Sequence, residues 1–395
     1  MMLPCMHQGR YIFSQLLDLF SRHEFATCVD RYDGNRRVRT FSCWDQYLVM
    51  LFAQLTYRES LRDVESCLRA WPRQLYHLGV RGGVCRSTLA DANEKRCWRI
   101  WADFALTLIG HARRLHAGEP VAGRLKAAVY VFDTTTIDLC LKLFPWAQFR
   151  RRKSAVKLHT LLDLRGNIPC FINVSEGSVH EINALDALTI EPGAYYIMDR
   201  GFIDFARLHR LAMDQGFFVI RAKDNLDFRV RESRPVNPGA PGLRADQTIV
   251  LRGPLSRRLY PSPLRRVSFT EETSGRHLVF LSNSFTLAAS TITKLYKSRW
   301  QVELFFKWIK QYLRIKAFFG NSPNAVKTQI WIAVSAYVLV AIAKKELNLA
   351  PPMGEILQVM SLMLFEKTPI VQVFSSEYRK ALNIEEHNSL SLFDF

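Results

Sequence analysis

Apolar residues recur at three- and four-residue spacing through residues 11–116, the pattern of amphipathic helices. Segments near 11–22, 43–56, 59–70 and 88–115 carry it most clearly. Thr88 is placed to cap the last segment, with Asp91 at its third helical position as a near relative of the capping box. A turn containing Leu78, Gly79, Arg81, Gly82 and Gly83 joins short helices, which suits a helix-turn-helix-like module.

Near residue 127 the pattern changes. AAVYVFD (127–133) reads as a buried strand. KLHTLLDL (157–164) and NIPCFINVSEG (167–177) read as two more, joined by a turn at Arg165-Gly166-Asn167. Residues 181–190 suit a short helix, AYYIMD (194–199) a fourth strand, 203–215 a helix and GFFVIRAK (216–223) a fifth strand. Three adjacent strands followed by helix, strand, helix and strand make an α/β layered domain. Residues 226–288 alternate short strand-like segments with Pro- and Gly-rich loops and predict a β-rich insertion. The stretch 294–316 predicts one amphipathic helix, 324–347 a long apolar helix, and the residues beyond Pro351-Pro352 a helical tail. The expected domains are a helical amino-terminal domain (1–120), a core in two parts (121–225 and 289–350), the insertion (226–288) and the tail (351–395).

Charge adds a partner to this outline. Fifty-four Lys and Arg against 36 Asp and Glu give +18 and a pI near 9.7, a balance that favours a polyanion. On that footing the helix from Thr88 would offer Asn93, Lys95, Arg96 and Arg99 to DNA. The apolar run Ile330 to Ala343 is interrupted by Ser335. It is shorter than the ~20 residues that span a bilayer, so a buried helix is expected. The start MMLPCMHQGR has no signal-peptide core. Eight cysteines without any C-x-x-C pair suit reduced, structural thiols of a cytoplasmic protein.

Candidate chemistry lies in three acids. Asp133 ends one apolar strand and is followed by Thr134, Thr135 and Thr136; Asp199 ends another and is followed by Arg200 and Gly201. Glu303 is the one acid of residues 294–316, among Lys294, Lys297, Arg299, Lys307, Lys310, Arg314 and Lys316. At about 100° per residue, Tyr296, Arg299, Glu303 and Lys310 fall within roughly 60° of one helix face. Val302, Phe305, Phe306, Ile309 and Leu313 gather opposite. A carboxylate on a phosphate-binding stripe repels nucleic acid unless a cation lies between them. Two divalent ions about 4 Å apart would serve phosphoryl transfer, and Mg²⁺ takes hard oxygen ligands. Asp133 would bridge both ions, Asp199 would bind one and Glu303 the other. Arg299 and Lys310 would hold phosphates. Tyr296 would donate to a phosphate or stack on an exposed base.

At these residues the chain resembles a known family. Tyr-x2-Arg-x3-Glu-x6-Lys (Tyr296, Arg299, Glu303, Lys310) is similar to the YREK signature of bacterial DDE transposases of the insertion-sequence-four type. DTTT at 133 and DRGF at 199 resemble the motifs bearing that family's first two catalytic Asp residues, and residues 60–96 resemble an amino-terminal domain found in one of its branches. The resemblance implies an RNase H-like core carrying Asp133, Asp199 and Glu303, interrupted by a β insertion. It also implies two Mg²⁺ ions, for which Mn²⁺ can substitute. It implies DNA cleavage at the terminal inverted repeats of an insertion sequence, joining to target DNA, and a homodimer in a synaptic complex. Lys307, Arg314, Asn93 and Arg96 join Tyr296, Arg299 and Lys310 as expected DNA contacts. Some relatives stack an insertion Trp on a flipped base; residues 201–299 hold no Trp, which leaves Tyr260 or a Phe for that role. Two other readings fit the charge: an RNase H-fold nuclease without strand transfer, and a catalytically dead DNA-binding regulator. His180, Glu181 and Lys157 near strand ends are expected at the surface.

Overall fold

A computed structural model describes residues 9–375, apart from 81, 122–124, 152, 237–240, 273 and 312–317. The chain divides into two units. One is helical, made of residues 1–116 and 307–395; the other, 117–306, is built on a sheet.

The helical unit begins with α1 (Ile12–Leu17), α2 (Arg22–Arg31), α3 (Cys43–Leu55), α4 (Leu61–Arg69), α5 (Pro72–Leu78), α6 (Arg86–Lys95) and α7 (Arg99–His116). Local chemistry sets several ends. Ser42 and Asp45 form a capping box on α3. Gly79 closes α5 with φ 95°, a left-handed cap that suits Gly. The single helix expected over 88–115 is two. Thr88 lies inside α6, and the backbone is extended at Arg96. No Gly or Pro breaks it there; a distant side chain does. Asn324 Nδ2 donates to the carbonyls of Asn93 (2.9 Å), Glu94 (3.2 Å) and Arg96 (2.7 Å), and its Oδ1 accepts from Trp98 N at 3.2 Å. One amide thus satisfies orphan carbonyls of α6 and a free N–H at the start of α7.

The sheet unit contains ten strands among the described residues. They are β1 (Val129–Leu139), β2 (Gln148–Arg150), β3 (Lys153–Asp163), β4 (Ile168–Glu176), β5 (Tyr195–Met198), β6 (Phe217–Arg221), β7 (Phe228–Arg234), β8 (Leu243–Leu251), β9 (Leu264–Thr270) and β10 (His277–Ser282). Helices α8 (Phe205–Met213), α9 (Pro254–Leu259) and α10 (Ala289–Lys297) accompany them. The order is β2-β3-β1-β5-β6-β10-β9-β8-β7, with β4 also on β3. β1, β3 and β4 pair antiparallel; β5 runs parallel to both β1 and β6. The segment expected as an insertion does not stand apart as a sheet of its own. β10 pairs antiparallel with β6, and β9, β8 and β7 extend the sheet from there.

Helix α11 (Trp300–Gln311) crosses from the sheet unit into the helical one at Phe306/Lys307. The helical unit is completed by α12 (Pro323–Glu346), α13 (Met353–Met363) and α14 (Ile370–Val373). α12 is long and apolar enough to cross a membrane by length and composition alone, yet 94% of its apolar window is buried in the protein. It packs against α3 and α7. At about 1.5–3 kcal/mol for each buried Val, Leu or Ile side chain, this helix is a major source of that unit's stability.

Candidate active site

β1 and β5 are parallel neighbours whose register pairs Phe132 with Met198. The next residues are Asp133 and Asp199. The runs Val129–Phe132 and Tyr195–Met198 are fully buried and fix both strands. Two carboxylates therefore emerge side by side where β5 ends, the edge at which ligands bind in open α/β sheets.

The third acid arrives on a helix that is not the one expected. Residues 294–316 do not form one continuous helix. α10 ends at Lys297 and α11 starts at Trp300, so Tyr296, Arg299 and Glu303 stand on α10, the junction and α11 respectively. Ser298 Oγ donates to Leu295 O at 2.6 Å, competing with the helical ladder. The bonds Arg299 N to Tyr296 O (3.0 Å) and Gln301 N to Ser298 O (3.1 Å) tighten the chain into three-residue turns. The break brings two polar side chains, with three contacts between them, onto the acids. Tyr296 Oη donates to Asp199 Oδ1 at 2.9 Å. Arg299 Nη1 donates to Asp133 Oδ2 at 3.1 Å, and Nη2 of the same guanidinium donates to Glu303. Val302, Phe305, Phe306 and Ile309 are buried as expected; Leu313 lies outside the described residues.

Burial pushes the Asp133 carboxyl up to about 6. The Thr134 N–H and Arg299 oppose that shift, while Glu303 and Asp199 add to it. Arg299 is held above the ordinary arginine value: burial works against its charge, but its bond to Glu303 together with the charges of Glu303, Tyr296 and Asp133 outweighs that. Burial, with the charge of Asp199 second, pushes the Tyr296 phenol up, so it stays a donor. The three carboxylates thus form one electrostatic group that demands a cation, and a guanidinium stands there.

A line of partly buried side chains, centred on the buried His159, that the sequence did not single out supports Asp133. Its Oδ1 accepts from Thr134 N at 2.8 Å. The Thr134 hydroxyl meets His159 Nδ1 at 2.8 Å, and His159 Nε2 meets Ser175 Oγ at 2.7 Å. His159 faces Thr134 across β1 and β3 and is 1% exposed. Burial, then the charge of Lys157, pushes its pKa down to about 4. The ring is neutral at physiological pH. An LHT triplet inside a fully buried strand was the only signal.

Asp133, Asp199 and Glu303 are hard oxygen donors suited to Mg²⁺ or Mn²⁺. Among the described residues no three His, Cys, Asp or Glu side chains are set to chelate one ion as they stand. Arg299 lies between Asp133 and Glu303, and the Tyr296 hydroxyl takes Asp199. The donor set fits divalent ions that keep most of their waters, provided Arg299 yields its place.

Other expected contacts fare differently. Lys307 is exposed and Lys310 half-buried, on the part of α11 that belongs to the helical unit. Arg314 lies outside the described residues. Asn93 is 1% exposed and accepts from Gln46 Nε2 at 2.7 Å, so it presents nothing to DNA. Arg96 is a clamp: it donates to Ser42 O (2.9 Å), Gln46 Oε1 (2.8 Å) and Phe41 O. Tyr260 is 2% exposed and packs edge-on to His209 and Phe218, which removes it as a base-stacking platform. Lys157 is buried too, donating to Val179 O at 2.8 Å.

Residues 124–339, more than half the chain, match the family model of the transposase DDE domain. The chain belongs to the DDE transposase family. It is a DNA transposase, an enzyme that binds DNA, cuts it and transfers strands. Residues 8–81 of the transposase match a domain of unknown function, DUF4372. A putative transposase, y4zB, of Sinorhizobium fredii is 32% identical over 288 residues, covering 72% of this chain and 79% of that one. A probable transposase for insertion sequence element IS5377 of Geobacillus stearothermophilus is 30% identical over 217 residues, 55% of this chain and 56% of that one. A putative transposase for element IS4SA of Synechocystis is 24% identical over 275 residues, 66% and 73% of the two chains. Among solved structures, a piggyBac transposase synaptic complex with hairpin DNA aligns over 97% of this chain and 86% of that one, with TM-score 0.45 and 10% identity.

Proposed function

We propose that this transposase cleaves DNA at the terminal inverted repeats of an insertion sequence and joins the ends to a target, using Asp133, Asp199 and Glu303 as ligands of two Mg²⁺ ions. The observation that carries the proposal is the Arg299 guanidinium bonded to Asp133 and Glu303 at once, a cation where the acids need one. Bound there, divalent ions would activate the attacking oxygen and neutralise charge on the leaving oxygen. The protein's own part is to hold the carboxylates. Thr134 and the strand register fix Asp133, Tyr296 orients Asp199, and α11 brings in Glu303. Arg299, released from the acids, would grip a phosphate beside the scissile bond, with Lys307 and Lys310 further along α11.

The run β4-β3-β1-β5-β6, antiparallel up to β1 and parallel beyond it, supports an RNase H-like core. The spacing of Tyr296, Arg299, Glu303 and Lys310 supports the insertion-sequence-four type with its YREK signature. Joining two ends to one target calls for two copies of the chain, so the working form is a homodimer on paired ends, in the bacterial cytoplasm at the nucleoid. The test is cleavage and joining of oligonucleotides carrying the repeats that flank the coding sequence, with Mg²⁺. Glu303→Gln should lower both rates about 10³-fold or more. Cleavage without joining, or cleavage of any duplex alike, would make the protein a nuclease. No cleavage, with DNA binding intact and no Mn²⁺ bound, would make it a regulator.

A further inference from the structure

The helical unit carries a second basic feature, distinct from α6 and from the acids. Between α2 and α3 the chain runs Gly34-Asn35-Arg36-Arg37-Val38-Arg39. Arg36, Arg37 and Arg39 are all exposed. None has an ion pair or side-chain hydrogen bond among the described residues, although arginines elsewhere in the unit do, as in the pairs Arg31–Asp103 and Arg58–Asp63. One exposed acid, Asp33, precedes them.

This segment is built, not loose. A Cβ on Gly34 would lie 2.6 Å from Ile100 Cδ1 and 2.9 Å from Cys43 Sγ, so its backbone is pressed into the core. Asn35 Oδ1 accepts from Cys43 N at 2.8 Å. Arg36 N donates to Asp33 O at 2.9 Å and Val38 N to Asn35 O at 3.1 Å. The half-buried clamp Arg96 holds the carbonyls of Phe41 and Ser42 at the far end. Arg37 itself has φ 60°, a left-handed conformation that is unfavourable for a non-glycine residue and is retained where structure imposes it. Beside the turn opens a cleft of about 760 Å³, with Arg22, Arg39 and Thr40 in its walls.

We propose that the Arg36–Arg39 turn is a phosphodiester-binding surface through which the helical unit holds the DNA backbone, independently of the metal site. Three guanidiniums on an anchored turn, without an ion pair among the described residues, match the charge of a polyanion, and arginine suits phosphate because its donors form a planar fork. The contacts are to phosphates, so they set affinity and position on the duplex and carry no base sequence. The role expected of Asn93 and Arg96 moves to this turn, and Arg96 serves it from beneath. The inference rests on the reading of the protein as a DNA transposase.

The test is the salt dependence of full-length protein binding to a duplex oligonucleotide, followed by fluorescence anisotropy without divalent ions. Each phosphate contact contributes about 0.9 to the slope of log K against log salt. Replacing all three with Gln (Arg36→Gln, Arg37→Gln, Arg39→Gln) should lower the slope by roughly 2–3, while the three Lys replacements keep it within about one unit. Phenylglyoxal labelling of the wild-type protein gives a readout that needs no variant: DNA should protect Arg36, Arg37 and Arg39. An unchanged slope in a folded Gln variant, or equal labelling with and without DNA, overturns the proposal. If the wild-type protein itself fails to bind duplex DNA, the transposase reading fails instead.

Discussion

Arg299 Nη1 sits 3.1 Å from Asp133 Oδ2, joining the break between two helices to the point where the buried half of β1 ends. The same guanidinium reaches Glu303. Without a divalent ion it offsets the repulsion between these carboxylates; with one, it becomes a like charge that must leave. Arg299→Gln should therefore bind Mn²⁺ more tightly in the absence of DNA, by roughly tenfold. It should also lower the salt slope of DNA binding by about one unit. Calorimetric titration with Mn²⁺ reads the first effect. An unchanged or weaker Mn²⁺ affinity would show that Arg299 is no placeholder.

Asp133 gives the site a pH dependence. Its carboxyl is raised to about 6, above the ~3.9 of an unfolded Asp. The folded state thus holds the proton more tightly, and this group's contribution to stability is greatest at low pH and lost as pH rises through about 6. In chelator, the melting temperature of wild type relative to Asp133→Asn should fall between pH 4 and pH 7. Mn²⁺ affinity should rise over the same interval and then level off, because a ligand must be deprotonated to bind. Affinity independent of pH between 5 and 7 would remove Asp133 from the ligand set.

Tyr296→Phe separates two roles. The hydroxyl donates to Asp199. Loss of one hydrogen bond to a carboxylate should cost on the order of 1–3 kcal/mol in denaturant unfolding, with the salt slope of DNA binding unchanged. Weaker DNA binding at fixed salt, with full stability, would return Tyr296 to the phosphate contacts.

Arg265 and Asp246 form a buried pair on β9 and β8, 3% and 8% exposed at the side chain, with a 2.7 Å contact. Arg265 also donates to Ser284 O and Leu287 O just ahead of α10, so it fixes the approach to Tyr296. Arg265→Met should destabilise the protein by about 3 kcal/mol, since removal of one partner of a buried pair is costly but Arg234, 3.4 Å from Asp246, stays to offset part of the charge. Restoring neutrality with Asp246→Leu in the same chain should recover part of that loss. Chemical unfolding of the two variants checks both values.

Asp133 and Asp199 were legible because each ends an apolar run, and such runs pair in register whatever the rest of the chain does. Glu303 was legible as a lone acid among bases. The break at Ser298–Arg299 was not: Ser-Arg-Trp contains no Gly or Pro, and the turn is set by the Ser298 hydroxyl and by acids 166 and 4 residues away in sequence from Arg299. The break after α6 was hidden for the same reason, since Asn324 imposes it from 228 residues away. Asn93 looked like a surface residue because its partner Gln46 lies 47 residues back. β7 escaped notice because FRVRESR is almost wholly exposed and its apolar alternation stops at Val230. Side chains that bond over long sequence distances leave no local period to read.

The central claim concerns two ions held by three acids, and Mn²⁺ stoichiometry in the DNA complex tests it most directly. Electron paramagnetic resonance of protein bound to uncleaved repeat DNA should count two Mn²⁺ per chain in the wild type. Asp199→Asn and Glu303→Gln should each lose one ion, and Asp133→Asn should lose both. Two ions retained in all three variants, or none bound by the wild type at millimolar Mn²⁺, would contradict the account.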